Sequence, residues 1–249
     1  VNNDYGKNKI PFGSSFDWPN DGGIIRKVNL FVVGKPAASY IKVLPVLNTS
    51  DSSGTVRLKL GIGQYQSPAT RLAVKIQEEN QPGSQIILQT IVTPVWQNGE
   101  LITDFSFPKI NPWHFDFPNL YKVSVSIMNG NRVTDQVSTS FGFREVKLLQ
   151  GKIYLNGERV TLMGVEWTAG SNPDYGLAET DSVILSQCRL MKQVNTIFTR
   201  QHFQQDDLFY EFCYRERIMV KQELPMCGPE TADNDTIRKL AQQQLRRMI

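Results

Sequence analysis

The hydrophobic period of this chain changes near Phe143, and no single kind of layer satisfies both halves. Before that point "IIRKVNLFVV", "YIKVLPVLN", "TVRLKLGIG", "RLAVKIQE", "QIILQTIV", "LYKVSVSIM" and "RVTDQVSTSF" alternate apolar with polar residues or run in β-branched ones. A period of two sends successive side chains to opposite faces, so these segments read as short strands. Turn residues separate them in "TSDSSG", "NQPGS", "QNGE" and "MNGN". After Phe143 the pattern becomes strand–helix, repeated. "KIYLNGERVTLMGV" leads to "TDSVILSQCRLMKQV", where Val183, Ile184, Cys188, Met191 and Val194 recur at helical spacing and Asp181 suits the positive helix end. "NTIFTRQ" then leads to "DDLFYEFCYRER", with Asp206 and Asp207 at the helix start. "IMVKQELP" precedes "NDTIRKLAQQQLRRMI", in which Ile237, Leu240, Ala241, Leu245 and Met248 form an apolar stripe. Repeated βα units indicate a parallel sheet covered by helices. Leu162, Val165, Ile197 and Val220 are the candidates for the face of that sheet turned inward.

Several short strands in roughly 100 residues follow the pattern of an immunoglobulin-like sandwich. The likeness is architectural, because the Cys…Trp…Cys pattern of antibody domains is absent. Such a module is more often a spacer or docking element than a catalyst. The opening "VNNDYGKNKIPFGSSFDWPNDGG" sets polar turns around Phe12, Phe16 and Trp18, with too few apolar residues for a core of its own. It reads as the tail of something larger, and Val1 as a processing boundary.

Hydrophobic residues at 40% and charged residues at 20% of 249 provide for globular cores. A net charge of +3 with scattered basic residues argues against a nucleic-acid partner. The cluster Arg238, Lys239, Arg246 and Arg247 is read as the polar face of the last helix. No apolar run approaches the ~18 residues of a spanning helix, so no membrane partner is expected. Cys188, Cys213 and Cys227 lack metal-ligand spacing, and His114 and His202 are the only histidines, so neither metal nor cofactor is expected. The compartment is not fixed by these features; a periplasmic or cytoplasmic bacterial protein fits them.

In βα units the chemistry collects at the C-terminal ends of the strands. Here those ends carry Glu166 and Trp167, then Arg200 and His202, then Gln222 and Glu223. A carboxylate accepts hydrogen bonds from sugar hydroxyls, and an indole stacks on the C–H face of a sugar ring. Glu166, Trp167, Arg200, His202 and Glu223 are therefore candidate substrate-binding residues. Each has a plainer reading: a solvated loop acid, a packed Trp, a His bonded to a loop carbonyl. Glu166 with Glu223 would also form the kind of carboxylate pair that glycosidases use.

Six segments in order, "SSFDWPNDGGIIRKV", "NPWHFDFPNLYKVSV", "STSFGFREV", "YLNGERVTLMGVEW", "TRQHFQQDDLFYEFC" and "MVKQELPMCG", resemble glycoside hydrolase family 2. This is the family of bacterial β-galactosidases, β-glucuronidases and β-mannosidases. The resemblance implies a multidomain β then α/β chain. Residues 1–29 would be the C-terminal remnant of a jelly-roll sugar-binding domain, to which Asp17 and Trp18 are similar. Residues 30–143 would be the immunoglobulin-like β-sandwich, and 144–249 the first three βα units of a TIM barrel, the N-terminal part of a (β/α)8 catalytic domain.

It further implies a retaining, exo-acting β-glycosidase, most often a β-galactosidase, hydrolysing terminal β-linked sugars. Such enzymes need two glutamates about 5–5.5 Å apart, which the family keeps on later barrel strands. No catalytic residue is therefore assigned among these residues, and the chain by itself is expected to be a fragment without activity. Pocket roles carry over to Glu166, where many members have Asn, and to Trp167, Arg200, His202 and Glu223. Departures from the family pattern cluster nearby: Arg217 at a usual Gly, Tyr214 at an Asp, Lys221 and Gln222 at Gln and Glu, Cys227 at a Trp. The other reading is a non-catalytic β-sandwich module for carbohydrate binding or assembly, with a vestigial α/β extension. A homo-oligomer is left open.

Overall fold

A computed structural model of the chain describes residues 10, 22–62, 67, 69–79, 83–170, 172–202, 204–226 and 235–248. Phe12, Phe16, Asp17, Trp18, Cys227 and Ile249 lie outside the described residues. The chain divides into two compact units: Leu30–Thr161, and the residues up to Asn29 together with those from Leu162 onward.

The unit Leu30–Thr161 is built on two antiparallel sheets. One has the order β1 (Tyr40–Asn48), β2 (Ser53–Gly61), β6 (Glu100–Phe107), β5 (Val95–Gln97); the other β4 (Ile86–Val92), β3 (Thr70–Glu78), β7 (Tyr121–Asn129), β8 (Arg132–Phe141). Alternation decides which side chains meet. Val56, Leu58 and Leu60 of β2 are buried while Thr55, Arg57 and Lys59 point away. Leu72, Val74 and Ile76 of β3 and Val123, Val125 and Ile127 of β7 complete the same core. Each such side chain, fully buried, stabilises by roughly 1.5–3 kcal/mol. Phe107, Tyr121, Phe141 and Phe143 form an edge-to-face and stacked aromatic cluster within it, with Phe143 fully buried.

Two expectations fail here. "IIRKVNLFVV" forms no strand, and Val28, Leu30, Phe31 and Val32 are exposed. Apolar composition alone does not make a strand without a neighbour to bond. Conversely, β5 and β6 supply strands to the first sheet that the sequence reading passed over, joined by Asn98–Gly99, both at positive φ.

The segment "KIYLNGERV" is a hairpin rather than one strand. β9 (Val146–Leu149), β10 (Lys152–Leu155) and β11 (Glu158–Val160) form a small antiparallel sheet in the order β11-β10-β9. Gln150–Gly151 and Asn156–Gly157 turn it with positive φ at both central residues, as two-residue hairpins require. Asn156 Nδ2 donates to the Trp113 carbonyl at 2.9 Å, and its Oδ1 accepts from the Glu145 amide at 2.9 Å. By packing, this sheet belongs to the sandwich unit.

The second unit holds a parallel sheet, β12 (Gly164–Trp167), β13 (Phe198–Gln201) and β14 (Met219–Gln222), with β13 in the middle. Helix α1 (Asp181–Gln193) joins β12 to β13, and α2 (Asp207–Arg215) joins β13 to β14. Thr180 caps α1 and Asp206 caps α2, each accepting from an amide of the first turn. Both helices end alike: Thr196 N–H reaches Met191 O at 3.0 Å and Ile218 N–H reaches Cys213 O at 2.8 Å, with Asn195 (φ 57°) and Arg217 (φ 70°) left-handed. Helix α3 (Asp235–Met248) buries Ile237, half-buries Leu240 and Ala241, and leaves Leu245 exposed. Arg238, Lys239, Arg246 and Arg247 lie on its solvent side.

The core of this unit packs Ile184, Cys188 and Met191 of α1 against Phe209 and Cys213 of α2, with Trp167 and Ile218. Val165, Thr199 and Val220 share one register row, on the face of the sheet that carries Trp167. Val220 packs with the helical cluster, so Val165 and Val220 are on the helix side and not an inward face. Residues 22–29 form no strand; Ile25 packs on this core and Lys27 pairs with Asp181 at 2.7 Å. Among the described residues no helix is long and apolar enough to cross a membrane.

Candidate substrate pocket

The parallel register sets the candidate site. Glu166, Arg200 and Lys221 are direct neighbours across β12, β13 and β14, one residue from the C-terminal end of each strand. Neighbours in register share a face, so a carboxylate, a guanidinium and an ammonium stand in one row. Gly164 makes this approach feasible: a Cβ there would lie 1.7 Å from the carbonyl oxygen of Phe198, so any larger residue would push β12 off β13. Glu223 follows β14 directly, its amide donating to Gln201 O at 3.0 Å.

Arg200 is the hub. Its Nε and Nη2 donate to the two carboxylate oxygens of Glu223 at 3.0 and 2.7 Å, a two-point fork. Its Nη1 reaches Glu166 Oε1 at 2.6 Å. Lys221 Nζ adds a contact to Glu223 Oε1 at 2.8 Å. His202 Nδ1 lies 3.3 Å from Arg200 Nη2. Arginine can only donate, so the imidazole nitrogen is the acceptor in that contact.

The hydrogen bonds from Arg200, then that from Lys221, hold the Glu223 carboxyl down at about 2. The Arg200 guanidinium is raised in turn by Glu223 and then Glu166. At neutral pH Glu223 therefore has no proton to give, and its charge is already neutralised by two cations. Neither general-acid nor nucleophilic chemistry suits it. Glu166 is half exposed, so its carboxylate can also accept from a hydroxyl.

Glu166, Arg200, His202 and Glu223 are thus brought together. Trp167 is not. It is the next residue along β12 and points through the sheet, where it is buried and stacked on Phe209 at 4.6 Å between ring centroids and 5° between planes. Its Nε1 donates to Gln187 Oε1 at 2.5 Å, and Gln187 Nε2 donates to Glu179, which also receives the Gly170 amide. Trp167 fixes α1, α2 and the loop after β12. Lys221 is the residue missed as a site member; its membership follows only from the register of β14 against β13. The buried thiols are inert: burial pushes Cys188 up to about 12 and raises Cys213 as well. No cluster of His, Cys, Asp and Glu that could hold a metal occurs among the described residues.

The model for glycosyl hydrolases family 2 matches residues 39–144. A β-galactosidase of Thermoanaerobacterium thermosulfurigenes is 28% identical over 249 residues, covering 96% of this chain and 33% of that protein. A putative β-glucuronidase of Formosa agariphila is 27% identical, over 97% of this chain and 29% of its own length. The likeness to glycosyl hydrolases family 2 is thus carried by the match over residues 39–144 and by relatives similar across nearly the whole chain. Among solved structures, Bacteroides uniformis β-glucuronidase 2 superposes with a TM-score of 0.77 at 20% identity, over 98% of this chain and 30% of that one. Parabacteroides merdae β-glucuronidase gives 0.72 at 21% identity, over 85% and 26%. The chain spans about a third of the length of the curated relatives it matches.

Proposed function

We propose that this chain is part of a retaining, exo-acting β-glycosidase of the β-galactosidase type, and that Glu166, Arg200, His202 and Glu223 form one wall of its sugar pocket. In this reading residues 1–29 close a jelly-roll, 30–143 are the immunoglobulin-like sandwich, and 144–249 open a (β/α)8 barrel. The observation that carries it is the ion-paired row at the C-terminal ends of three parallel strands, where such folds keep their ligands. A neutral sugar suits this wall better than a uronate. The guanidinium of Arg200 and the ammonium of Lys221 already engage the protein's own carboxylates, and a substrate carboxylate would have to compete with them.

The 249 residues by themselves are inactive in this reading: Glu166 and Glu223 are both paired with one guanidinium, and Glu223, held at about 2, has no proton to give. Purified protein is expected to turn over aryl β-galactoside, β-glucuronide and β-mannoside no faster than buffer. Turnover that disappears in Glu223→Gln would overturn this. In the same protein, titration with an aryl β-galactoside should move the amide resonances of residues 166, 200–202 and 223. Binding that moves only other regions would remove these residues from the pocket.

A further inference from the structure

Two neighbouring cations that precede the sandwich in sequence, Arg26 and Lys27, stand where the helices of the second unit begin. Lys27 Nζ meets Asp181 Oδ2 at 2.7 Å in the first turn of α1, and Arg26 Nε lies 3.7 Å from Oδ2 of Asp206, the cap of α2. The start of a helix is its positive end and repels a cation, so each of the two is held there by specific acceptors. They differ in depth. Lys27 and Asp181 are 63% and 53% exposed, and such a pair contributes little. Arg26 and Asp206 are 29% and 17% exposed, and Arg26 Nη1 also donates to the Leu177 carbonyl at 2.5 Å.

Arg26 thereby joins two loops with one side chain. Leu177 belongs to the loop from β12 to α1, and Asp206 ends the loop from β13 to α2. Both loops leave the C-terminal end of the parallel sheet, where Glu166, Arg200 and His202 stand. Each loop has bonds of its own: Gly176 N–H to Asn172 O at 3.0 Å, Ala178 N–H to Tyr175 O at 3.0 Å, and Gln205 N–H to the Tyr210 hydroxyl at 2.9 Å. These three shape the loops singly and do not run from one to the other. His202 is four residues before Asp206, so holding Asp206 limits where the imidazole can stand.

We infer that Arg26 is a positioning residue for the candidate pocket. Its guanidinium pins the β12–α1 loop to the start of α2, and so sets the place of the His202 ring beside Arg200 and Glu223. A guanidinium suits the task because Nε and Nη1 are separate donors on one rigid plane, whereas the single ammonium of a lysine serves one loop at a time. The inference rests on the reading of this sheet end as the sugar pocket, but its readouts need no sugar.

NMR on the whole chain tests it. In Arg26→Met the amides of Gly176, Ala178 and Gln205 should exchange about tenfold faster, and the ring resonances of His202 should shift. His114, the other histidine, lies in the sandwich unit and should not respond. Arg26→Lys should restore slow exchange in one loop and not in both. Asp206→Asn keeps a side chain that caps α2 while losing the ion pair, and should reproduce the shift of His202. Lys27→Met should leave both loops and His202 unchanged. A His202 ring unmoved in both Arg26→Met and Asp206→Asn would overturn the inference. So would a full rescue by Arg26→Lys, which would make charge alone sufficient, or an equal response in Lys27→Met. If an aryl β-galactoside leaves residues 166, 200–202 and 223 unmoved while these shifts appear, the sugar reading falls and the tie stands.

Discussion

The sandwich and the parallel sheet solve the same problem, burying the apolar faces of strands, to different degrees. In the sandwich both four-stranded sheets turn their apolar faces to one another, and seventeen buried residues form one cluster. Among the described residues the parallel sheet has its apolar cover, α1 and α2, on one face. Its cluster has nine buried residues, nearly all from α1, α2 and the loops between, while the other face holds the half-exposed row Glu166, Arg200 and Lys221. The first arrangement is finished as a core. The second spends one face on charge, and that face carries the candidate chemistry.

The sharpest way to break this comparison is to remove the centre of the larger core. Phe143 is fully buried and meets Tyr121 and Phe141 at 5.4 Å and Phe107 at 6.1 Å between ring centroids. Phe143→Ala should cost roughly 3–5 kcal/mol, from lost burial and the cavity left behind. Hydrogen exchange on the wild type should show the amides of β2, β3, β6 and β7 protected well beyond those of β12, β13 and β14. In the variant that excess should largely vanish. Equal protection of both regions in a dilute wild-type monomer would mean that the parallel sheet is as self-sufficient as the sandwich.

The charged face provides a smaller effect with a defined sign. Glu223 is held at about 2 in the folded chain, below the ~4.3 of an unperturbed glutamate. A depressed carboxylate stabilises above its unfolded pKa, and the contribution is lost as pH falls from about 4.5 toward 2. With solvent screening allowed for, Glu223 contributes about 1 kcal/mol. Denaturation of the wild type at pH 6 and pH 3 should therefore differ more than in Arg200→Gln. Carboxyl NMR should place Glu223 higher in that variant, though still below an ordinary glutamate, because Lys221 remains. A Glu223 titration unmoved by Arg200→Gln would break the claim that Arg200 organises the row.

What could be read in advance follows the same division. The strands β1, β2, β3, β4, β7 and β8 were legible because alternation is a local property of sequence. The hairpin at Asn156–Gly157 was equally legible, since Asn-Gly between apolar runs is a strong turn signal, yet it was absorbed into one long strand. "IIRKVNLFVV" misled because its composition fits a strand, but among the described residues no strand bonds to it. In the site, strand parity could have separated Glu166 from Trp167, adjacent residues that must point to opposite faces, yet both stand among the sequence candidates for the pocket. The fork between Arg200 and Glu223, and the place of Lys221 beside it, depend on how β14 slides against β13. That register is a three-dimensional quantity which a single sequence does not carry.

The smallest expected effect tests the part of the second unit that was legible. The family resemblance sets Arg217 at a usual Gly just past the end of α2, which implies a left-handed residue there, and it takes φ 70°. Helix α1 closes in the same way with Asn195 at φ 57°, a residue that tolerates the conformation. Arg217 does not, because its Cβ crowds the backbone, and its side chain is exposed to solvent. The 2.8 Å bond from Ile218 N–H to Cys213 O holds it there regardless. Arg217→Gly should relieve on the order of 1 kcal/mol, raising the melting temperature of this unit by roughly 2–4 °C. Asn195→Gly should change it much less. The two variants together separate backbone strain from the general effect of adding a glycine, which also loosens the unfolded chain. Equal shifts in both, or a fall in Arg217→Gly, would mean that the strain at Arg217 is not what limits this helix end.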